Sequence, residues 1–312
     1  MVGFLIVLLA SFFFCFQNVI VRILFNEHSI FGLFQIGGYV IPTLQNSFLL
    51  MFMRMVLVVP LMASLAGKLY PRTWQEIRQL GNRESRPLLW RSLAGGGLMF
   101  LYLALLYLSI GLIETGIAMT LFFTYPVFTA LFSWRLFGTP PTRFRWMIMA
   151  LVLSGSFLTI PHSQNSAESY SAIGVILGVA SGIAYALYTV NAQKTFAENL
   201  HPVPFTWISF ATTLVLSATC LLIWQNPSNL LNWTPLWIGG LCSAIVTFAG
   251  HLMNNFGIRL IGATTAATIG ASNPALTVIL AWLTIQETLN GLQLLGVIVV
   301  TFSVVLISRE NR

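Results

Sequence analysis

The chain has 312 residues, of which 57% are hydrophobic and 7% charged, with a formal net charge of +7. A soluble domain carries about 25% charged residues, so a chain this apolar could not cover its own surface in water. The positive balance does not indicate nucleic acid, because the basic residues stand between apolar runs, where they report membrane topology.

In chain order, apolar runs long enough to span a bilayer predict helices at 2–24, 47–66, 88–109, 112–135, 144–161, 171–191, 204–224, 235–257, 263–286 and 289–308. The first run lacks the basic leader of a cleaved signal peptide and is expected to remain as a span. The stretch 26–46 is apolar but short, and Gly32, Gly37, Gly38 and Pro42 interrupt it. It is expected to form an interfacial or re-entrant loop rather than an eleventh span. Cys15, Cys220 and Cys242 fall inside apolar runs without metal-ligand spacing and read as small buried hydrophobes.

Charge placement tests the count of ten. With a cytoplasmic N-terminus, the second-to-third connection faces inward with Lys68, Arg72, Arg78, Arg83, Arg86 and Arg91. Arg135, Arg143, Arg145, Lys194, Arg259, Arg309 and Arg312 fall on the same side, leaving only Arg22 and Arg54 elsewhere. The outer connections carry Glu27, Glu114, Glu168 and Glu287, which completes a positive-inside pattern.

The chain also repeats itself. Shifted by 148 positions, residues 110–134 fall on 258–282 with eight identities in twenty-five, including Thr120/Thr268, Pro126/Pro274, Thr129/Thr277 and Trp134/Trp282. A weaker echo links 9–15 with 179–185. The unit is five helices; five is odd, so the second copy must cross the membrane in the opposite sense. Inverted repeats of this kind are common in secondary transporters, with the substrate site near the midplane.

Pro126 and Pro274 lie near the middles of the fourth and ninth helices and remove a backbone donor there, freeing the carbonyls of Phe122 and Gly270. Thr124 and Tyr125 precede the first proline, and Ser272 and Asn273 the second. Polar groups beside a mid-membrane break point to a transport site, or to a kink satisfied by Ser and Thr. The eighth helix places His251, Asn254 and Asn255 on one face. They either line a cavity or serve as interhelical glue. The first helix carries Ser11, Cys15 and Asn18 on one stripe with Gln17 adjacent, the sixth Ser181, Tyr185, Tyr188 and Asn191, and the third Tyr102 and Tyr107. From these, Gln17, Tyr102 and Tyr185 are taken as binding residues beside Thr124, His251, Asn254, Asn255, Ser272 and Asn273. Gly174, Gly178 and Gly182, like Ala263, Ala267, Ala271 and Ala275, recur at four-residue spacing and read as close-packing faces.

Absences narrow the function. The chain has no GxxxxGK[ST] loop and no HExxH motif, and Asp is missing altogether. No nucleophile, acid pair or metal site is clustered in a span, which argues against an enzyme, a cofactor or a bound metal. The polar and aromatic residues suit a neutral or zwitterionic solute. A phosphate ester would need buried Arg or Lys, for which Arg54 is the sole candidate.

Ten spans, a central proline in the paired fourth and ninth helices, Arg54 in the second helix and a Gly-rich start to the second half together resemble the drug/metabolite transporter superfamily, specifically its EamA-type ten-helix members. The resemblance covers nearly the whole chain. It implies a carrier for amino acids, nucleobases, sugars, nucleotide sugars or drugs, often moved outward. It also implies a cavity lined mainly by helices one, three, four, six, eight and nine, and a bacterial plasma-membrane location. A Gly-Glu pair often follows the fourth and ninth helices in the family; here the counterparts are Gly138-Thr139 and Gln286-Glu287.

The expectation is an all-α integral membrane protein of ten transmembrane helices in two inverted five-helix repeats, 1–161 and 171–308, with both termini cytoplasmic. Its partners are the lipid bilayer and a small-molecule substrate, with no nucleic acid, and the sequence sets no oligomeric state. The expected function is secondary transport by alternating access, exporting small neutral or zwitterionic metabolites such as amino acids. A nucleotide-sugar or phosphorylated-sugar carrier is the alternative within that class, and a channel or scaffold outside it.

Overall fold

A computed structural model describes residues 1–25, 27–30, 34–41, 43–113, 115–138, 140–158, 172–223, 233–285 and 290–310. Glu114, Thr139, Glu168, Gln286, Glu287 and Arg312 lie outside the described residues.

The elements follow the apolar runs. Helix α1 (Val2–Phe25) leads into a hairpin of β1 (Glu27–Ile30) and β2 (Phe34–Gly37). Then come α2 (Leu44–Leu69), a short α3 (Thr73–Gln79), α4 (Arg86–Leu112), α5 (Thr115–Phe122), α6 (Tyr125–Phe137) and α7 (Arg143–Leu158). The second half contains α8 (Ala172–Ala197), α9 (Pro202–Ile223), α10 (Trp233–Ile261), α11 (Ala263–Gly270), α12 (Asn273–Ile285) and α13 (Gly291–Glu310). Among the described residues, seven helical stretches are long and apolar enough to cross a membrane, and Gly291–Ser303 is a shorter apolar helix. Helices dominate because a chain in lipid must satisfy every backbone N–H and C=O internally.

The side chains are distributed as in a membrane bundle. Large apolar groups such as Leu5, Phe12, Ile176, Val215, Leu241 and Phe302 point outward, whereas Thr206, Ser209, Thr213 and Ser217 of α9 are buried. The buried hydroxyls return their protons to carbonyls one turn back, as Thr206 Oγ1 does to Pro202 O at 2.7 Å and Ser209 Oγ to Phe205 O at 2.9 Å. The most extensive helix pairings are α4 with α8 and α1 with α10, followed by α7 with α13 and α2 with α9.

The structure departs from the sequence reading in four places. The stretch 26–46 contains an antiparallel hairpin, with Glu27 opposite Gly37, instead of a loop. Gly38 N and Val40 N donate to the carbonyls of Ile23 and Leu24 at the end of α1, each at 3.1 Å. Val40 then packs with Leu24, Leu50, Met53 and Leu236. Pairing with the partner strand and with the end of α1 satisfies a backbone too short to satisfy itself as a spanning helix. Second, the spans expected at 112–135 and 263–286, with breaks expected at Pro126 and Pro274, are each two helices parted by a turn just ahead of the proline. Third, the basic connection after α2 holds α3, fixed by Thr73 Oγ1 donating to the carbonyls of Tyr70 and Ala66. Fourth, only Cys15 of the three cysteines is fully buried; Cys220 is half-buried and Cys242 is exposed on the outer face of α10.

Small residues set the closest approaches. A Cβ added at Gly174 would lie 2.6 Å from Ile113 Cγ2, one at Gly178 3.0 Å from Leu121 Cβ, and one at Gly182 2.8 Å from Phe122 O. The expected glycine stripe is therefore the surface on which α8 receives α4 and α5. Ser109 Oγ seals this contact with a 2.8 Å hydrogen bond to Gly174 O.

One end of the bundle gathers polar and aromatic groups from both halves. Tyr70 stacks on His201 with ring centroids 3.9 Å apart, His201 meets Phe256 edge-on at 5.4 Å, and Trp74 meets Trp207 at 5.3 Å. Arg91 at the start of α4 forms an ion pair with Glu198 after α8.

Candidate functional site

The two broken helices position the centre of the molecule. Helices α5 and α6 are separated by a turn at Phe123–Thr124, and α11 and α12 by one at Ala271–Ser272. In each, the chain turns just ahead of the proline, so that Pro126 and Pro274 occupy the first turn of the following helix, where a missing N–H costs nothing. Thr124 Oγ1 and Ser272 Oγ donate back to the carbonyls of Leu121 (2.6 Å) and Ile269 (2.7 Å). Both hydroxyls thus serve the turns themselves. Ser156 Oγ supports the second turn by donating to Ala271 O at 2.9 Å. The breaks approach each other: a Cβ added at Gly270 would lie 2.6 Å from the Tyr125 hydroxyl.

Around the first break is a cluster of aromatic rings. Tyr185 of α8 meets Tyr125 edge-on at 4.7 Å and Tyr102 of α4 at 4.9 Å, and Phe122 lies 5.5 Å away. Tyr188 continues the row at 6.0 Å from Tyr185. These tyrosines are buried, and their hydroxyls give an apolar surface a polar rim.

Helix α10 supplies the facing polar residues, with three different surroundings. Asn255, fully buried, is committed: its Nδ2 lies 3.0 Å from the Tyr188 hydroxyl and donates to Thr206 Oγ1 at 2.8 Å, and its Oδ1 lies 3.2 Å from the same hydroxyl. His251 lies between Phe14 (4.9 Å) and Phe210 (5.8 Å), both edge-on, and its Nδ1 has no partner. Asn254 lies near enough to the Tyr185 hydroxyl to interact with it, although its Nδ2 does not meet that oxygen with hydrogen-bond geometry. Arg54 of α2 is 5% exposed. Its Nη2 donates to the Tyr107 hydroxyl at 2.9 Å, while Nε is buried without a partner.

Two further polar groups bind α1 to the second half. Gln17 Oε1 accepts from Ser243 Oγ (2.8 Å) and Thr247 Oγ1 (3.1 Å) of α10, and its Nε2 is left over. Asn273 Oδ1 at the start of α12 accepts from Asn18 Nδ2 (2.9 Å) and Thr277 Oγ1 (3.1 Å), with the Cys15 thiol 3.5 Å from Asn273 O. Among the described residues, no group of His, Cys, Asp or Glu has the arrangement to hold a metal ion.

A protein-family comparison matches residues 172–309 to the EamA-like transporter family. An uncharacterized transporter of Synechocystis sp. is 57% identical over 311 residues, which covers 100% of this chain and 94% of the relative. The chain belongs to the EamA-like transporter family. The threonine/homoserine exporter RhtA of Salmonella typhimurium is 28% identical over 216 residues, covering 67% of this chain and 66% of the relative. A crystal structure with 17% sequence identity superposes with a TM-score of 0.76 over 99% of this chain and 98% of its own, which establishes a shared fold.

The protein is therefore a multi-pass membrane transporter of the drug/metabolite transporter superfamily and not an enzyme. Of the residues singled out in its sequence, the structure brings Tyr102, Tyr185 and Asn254 together. It places Asn255 and His251 on the same helix with other partners, and Gln17 and Asn273 at separate contacts of α1. Sequence reading undervalued two members of this centre. Tyr125 was legible only as a residue flanking a break, although its ring lies against Tyr185. Arg54 gave no sign of its depth except its place near the middle of an apolar run.

Proposed function

We propose that this transporter exports small neutral or zwitterionic metabolites, such as amino acids, by alternating access across a bacterial inner plasma membrane. Its ten spans form two inverted five-helix repeats, 1–161 and 171–308, with both termini cytoplasmic. The observation that carries the reading is the pair of mid-helix breaks that meet at Tyr125 and Gly270 beside a buried tyrosine cluster. Discontinuous helices at the interface of two repeats are where secondary transporters bind their substrates.

Recurring contacts support the repeat. Gly174 faces Leu112 and Ile113, and Gly3 faces Leu260 and Ile261. The two sets are offset by 171 and 148 positions. At the same offsets, the Thr129–Thr189 hydroxyl contact recurs as the contact of Thr277 with Asn18. The α4–α8 pairing has α10–α1 as its counterpart. The odd number of helices in each unit requires the second copy to be inverted.

The site residues of this reading are Gln17, Tyr102, Thr124, Tyr185, His251, Asn254, Asn255, Ser272 and Asn273, with helix breaks at Pro126 and Pro274. Tyr102, Tyr185 and Asn254 form its centre, and the others hold its walls. Arg54 is the only buried Lys or Arg among the described residues, which favours a singly charged or zwitterionic solute over a phosphate ester. The name of RhtA, a threonine/homoserine exporter, agrees with that class.

Counterflow in proteoliposomes with labelled threonine, homoserine, other amino acids, nucleobases and sugars tests the reading. Saturable exchange of amino acids is expected. Saturable exchange confined to sugars or nucleobases would replace the substrate class, and a flux that never saturates would replace the carrier by a channel.

A further inference from the structure

A guanidinium in the middle of a membrane span needs an explanation. Arg54 stands ten residues into α2, roughly 15 Å along the helix at 1.5 Å per residue. It is too deep to reach the headgroups easily. A charge at that depth is costly, and such residues face the bundle interior and pair with something. Among the described residues no carboxylate pairs with Arg54. Its protein partner is one neutral hydroxyl, that of Tyr107, and Nε is buried with nothing to donate to.

The neighbourhood repeats the same deficiency. Tyr107, which accepts from Arg54, stands on α4 with Tyr102, and α2 packs against both α4 and α10. His251 is one turn from Asn254, whose Nδ2 is the second buried donor lacking an acceptor, in a residue 5% exposed beside Tyr185. Tyr102 and Tyr185 are in ring contact, so Arg54 and Asn254 border one tyrosine cluster from two helices that pack side by side, α2 and α10. Two unsatisfied donors, one of them charged, define a place for an acceptor-rich anion. Burial of unpaired donors is otherwise a net loss.

We propose that Arg54 and Asn254 bind the carboxylate of the transported solute, making Arg54 the residue that distinguishes carboxylate-bearing substrates from their amides and esters. This rests on the tyrosine cluster being the transport site. The carboxylate accepts from Arg54 Nε and Asn254 Nδ2. The remainder of the solute lies against Tyr102, Tyr125 and Tyr185, where ring faces also accommodate an ammonium group. One buried cation matches one carboxylate, and the bound carboxylate neutralises the guanidinium while the solute occupies the site. A purely structural Arg54 would instead be satisfied by the protein, as Asn255 is.

The test compares acids with their amides. In proteoliposomes of the wild-type protein, exchange of a labelled amino acid should be inhibited by unlabelled amino acids and hardly at all by their carboxamides or methyl esters. Equal inhibition by acid and amide overturns the proposal without any mutant. In Arg54→Gln, shown folded by size exclusion and thermal melting, KM should rise by about 100-fold, the scale of a lost buried charge-assisted contact. The acid-over-amide preference should also vanish. Asn254→Ala should give a smaller rise in the same direction. A preference unchanged in a folded Arg54→Gln overturns the assignment, and if that variant does not fold, Arg54→Lys and Asn254→Ala carry the same comparison. If no amino acid is exchanged, the functional reading above fails separately, and labelled lactate, pyruvate and benzoate are assayed. Their saturable exchange, lost on Arg54→Gln, keeps the carboxylate site. Exchange confined to solutes without a carboxylate, or of none, overturns it.

Discussion

Replacing Asn255 with Ala should destabilise the bundle more than it impairs substrate recognition, whereas Asn254→Ala should do the reverse. Asn255 ties three helices together: Tyr188 of α8 and Thr206 of α9 both bond its amide from α10. Truncation removes the hydrogen bonds to these two partners, each partner's contact worth about 0.5–1.5 kcal/mol, and leaves the Tyr188 hydroxyl buried without a partner, at about 1–3 kcal/mol. Membrane reference states soften such losses, since polar contacts between helices in lipid average about 0.6 kcal/mol. The expected net cost is therefore about 2 kcal/mol. Tyr188→Phe keeps the ring and removes the orphaned hydroxyl, so adding Asn255→Ala to it should cost about 1 kcal/mol less than Asn255→Ala alone. Reversible SDS unfolding in mixed micelles measures all four species of the cycle. A wild-type-like Asn255→Ala, or a cycle with no coupling between the two positions, would refute the network. So would a folded, fully stable Asn255→Ala whose KM for exchange rises more than that of Asn254→Ala.

Two other predictions concern packing and pH. A Cβ at Gly257 would lie 2.1 Å from Val7 Cγ2, so Gly257→Ala should cost about 1–3 kcal/mol by overpacking, and Val7→Ala should recover most of it; at Gly182 the obstacle is the backbone oxygen of Phe122, so no side-chain truncation there should rescue Gly182→Ala in the same unfolding assay. At the polar end of the bundle, burial, and then the charge of Arg259, lower His201 below its ordinary 6.5, against a smaller upward pull from Glu76. The folded protein binds that proton less readily than the unfolded chain, so stability is full above 6.5 and declines as pH falls through that value. Glu198 is lowered mainly by its hydrogen bond to Arg91, so its contribution is present above 4.5 and is lost as pH falls further. Thermal midpoints in detergent should decline between about pH 7.5 and 5.5, and His201→Phe should flatten that decline; an unchanged slope would remove His201 from the explanation.

Sequence alone was enough for most of the architecture because lipid makes the rules local. A backbone without water must form helices, so the apolar runs announced themselves, and among the described residues seven helical stretches are long and apolar enough to cross a membrane. Proline acts on its own helix, so Pro126 and Pro274 marked the breaks, though the turns open just ahead of the prolines rather than at them. Glycine spacing foretold the α8 face, since close approach needs only the absence of a Cβ. The hairpin at 27–37 was missed because its backbone is satisfied by pairing with itself and with the end of α1, a contact that apolarity and glycine content do not encode.

The centre of the site was only partly legible. That polar residues in spans face inward is a local inference, and Tyr102, Tyr185 and Asn254 do converge. Whether a polar group is spent or free is decided by partners far away in the chain. Asn255 and Asn254 are neighbours in sequence, yet one is saturated by Tyr188 and Thr206 and the other is not. Gln17 meets Ser243 and Thr247, and Asn18 meets Asn273, more than two hundred residues away. The sequence by itself determined a membrane bundle with two proline-broken helices and an inward polar stripe. Only the tertiary structure decided that Arg54 meets no counter-charge among the described residues and that Tyr125 closes on Gly270, because hydrogen-bond saturation depends on which helices pack side by side.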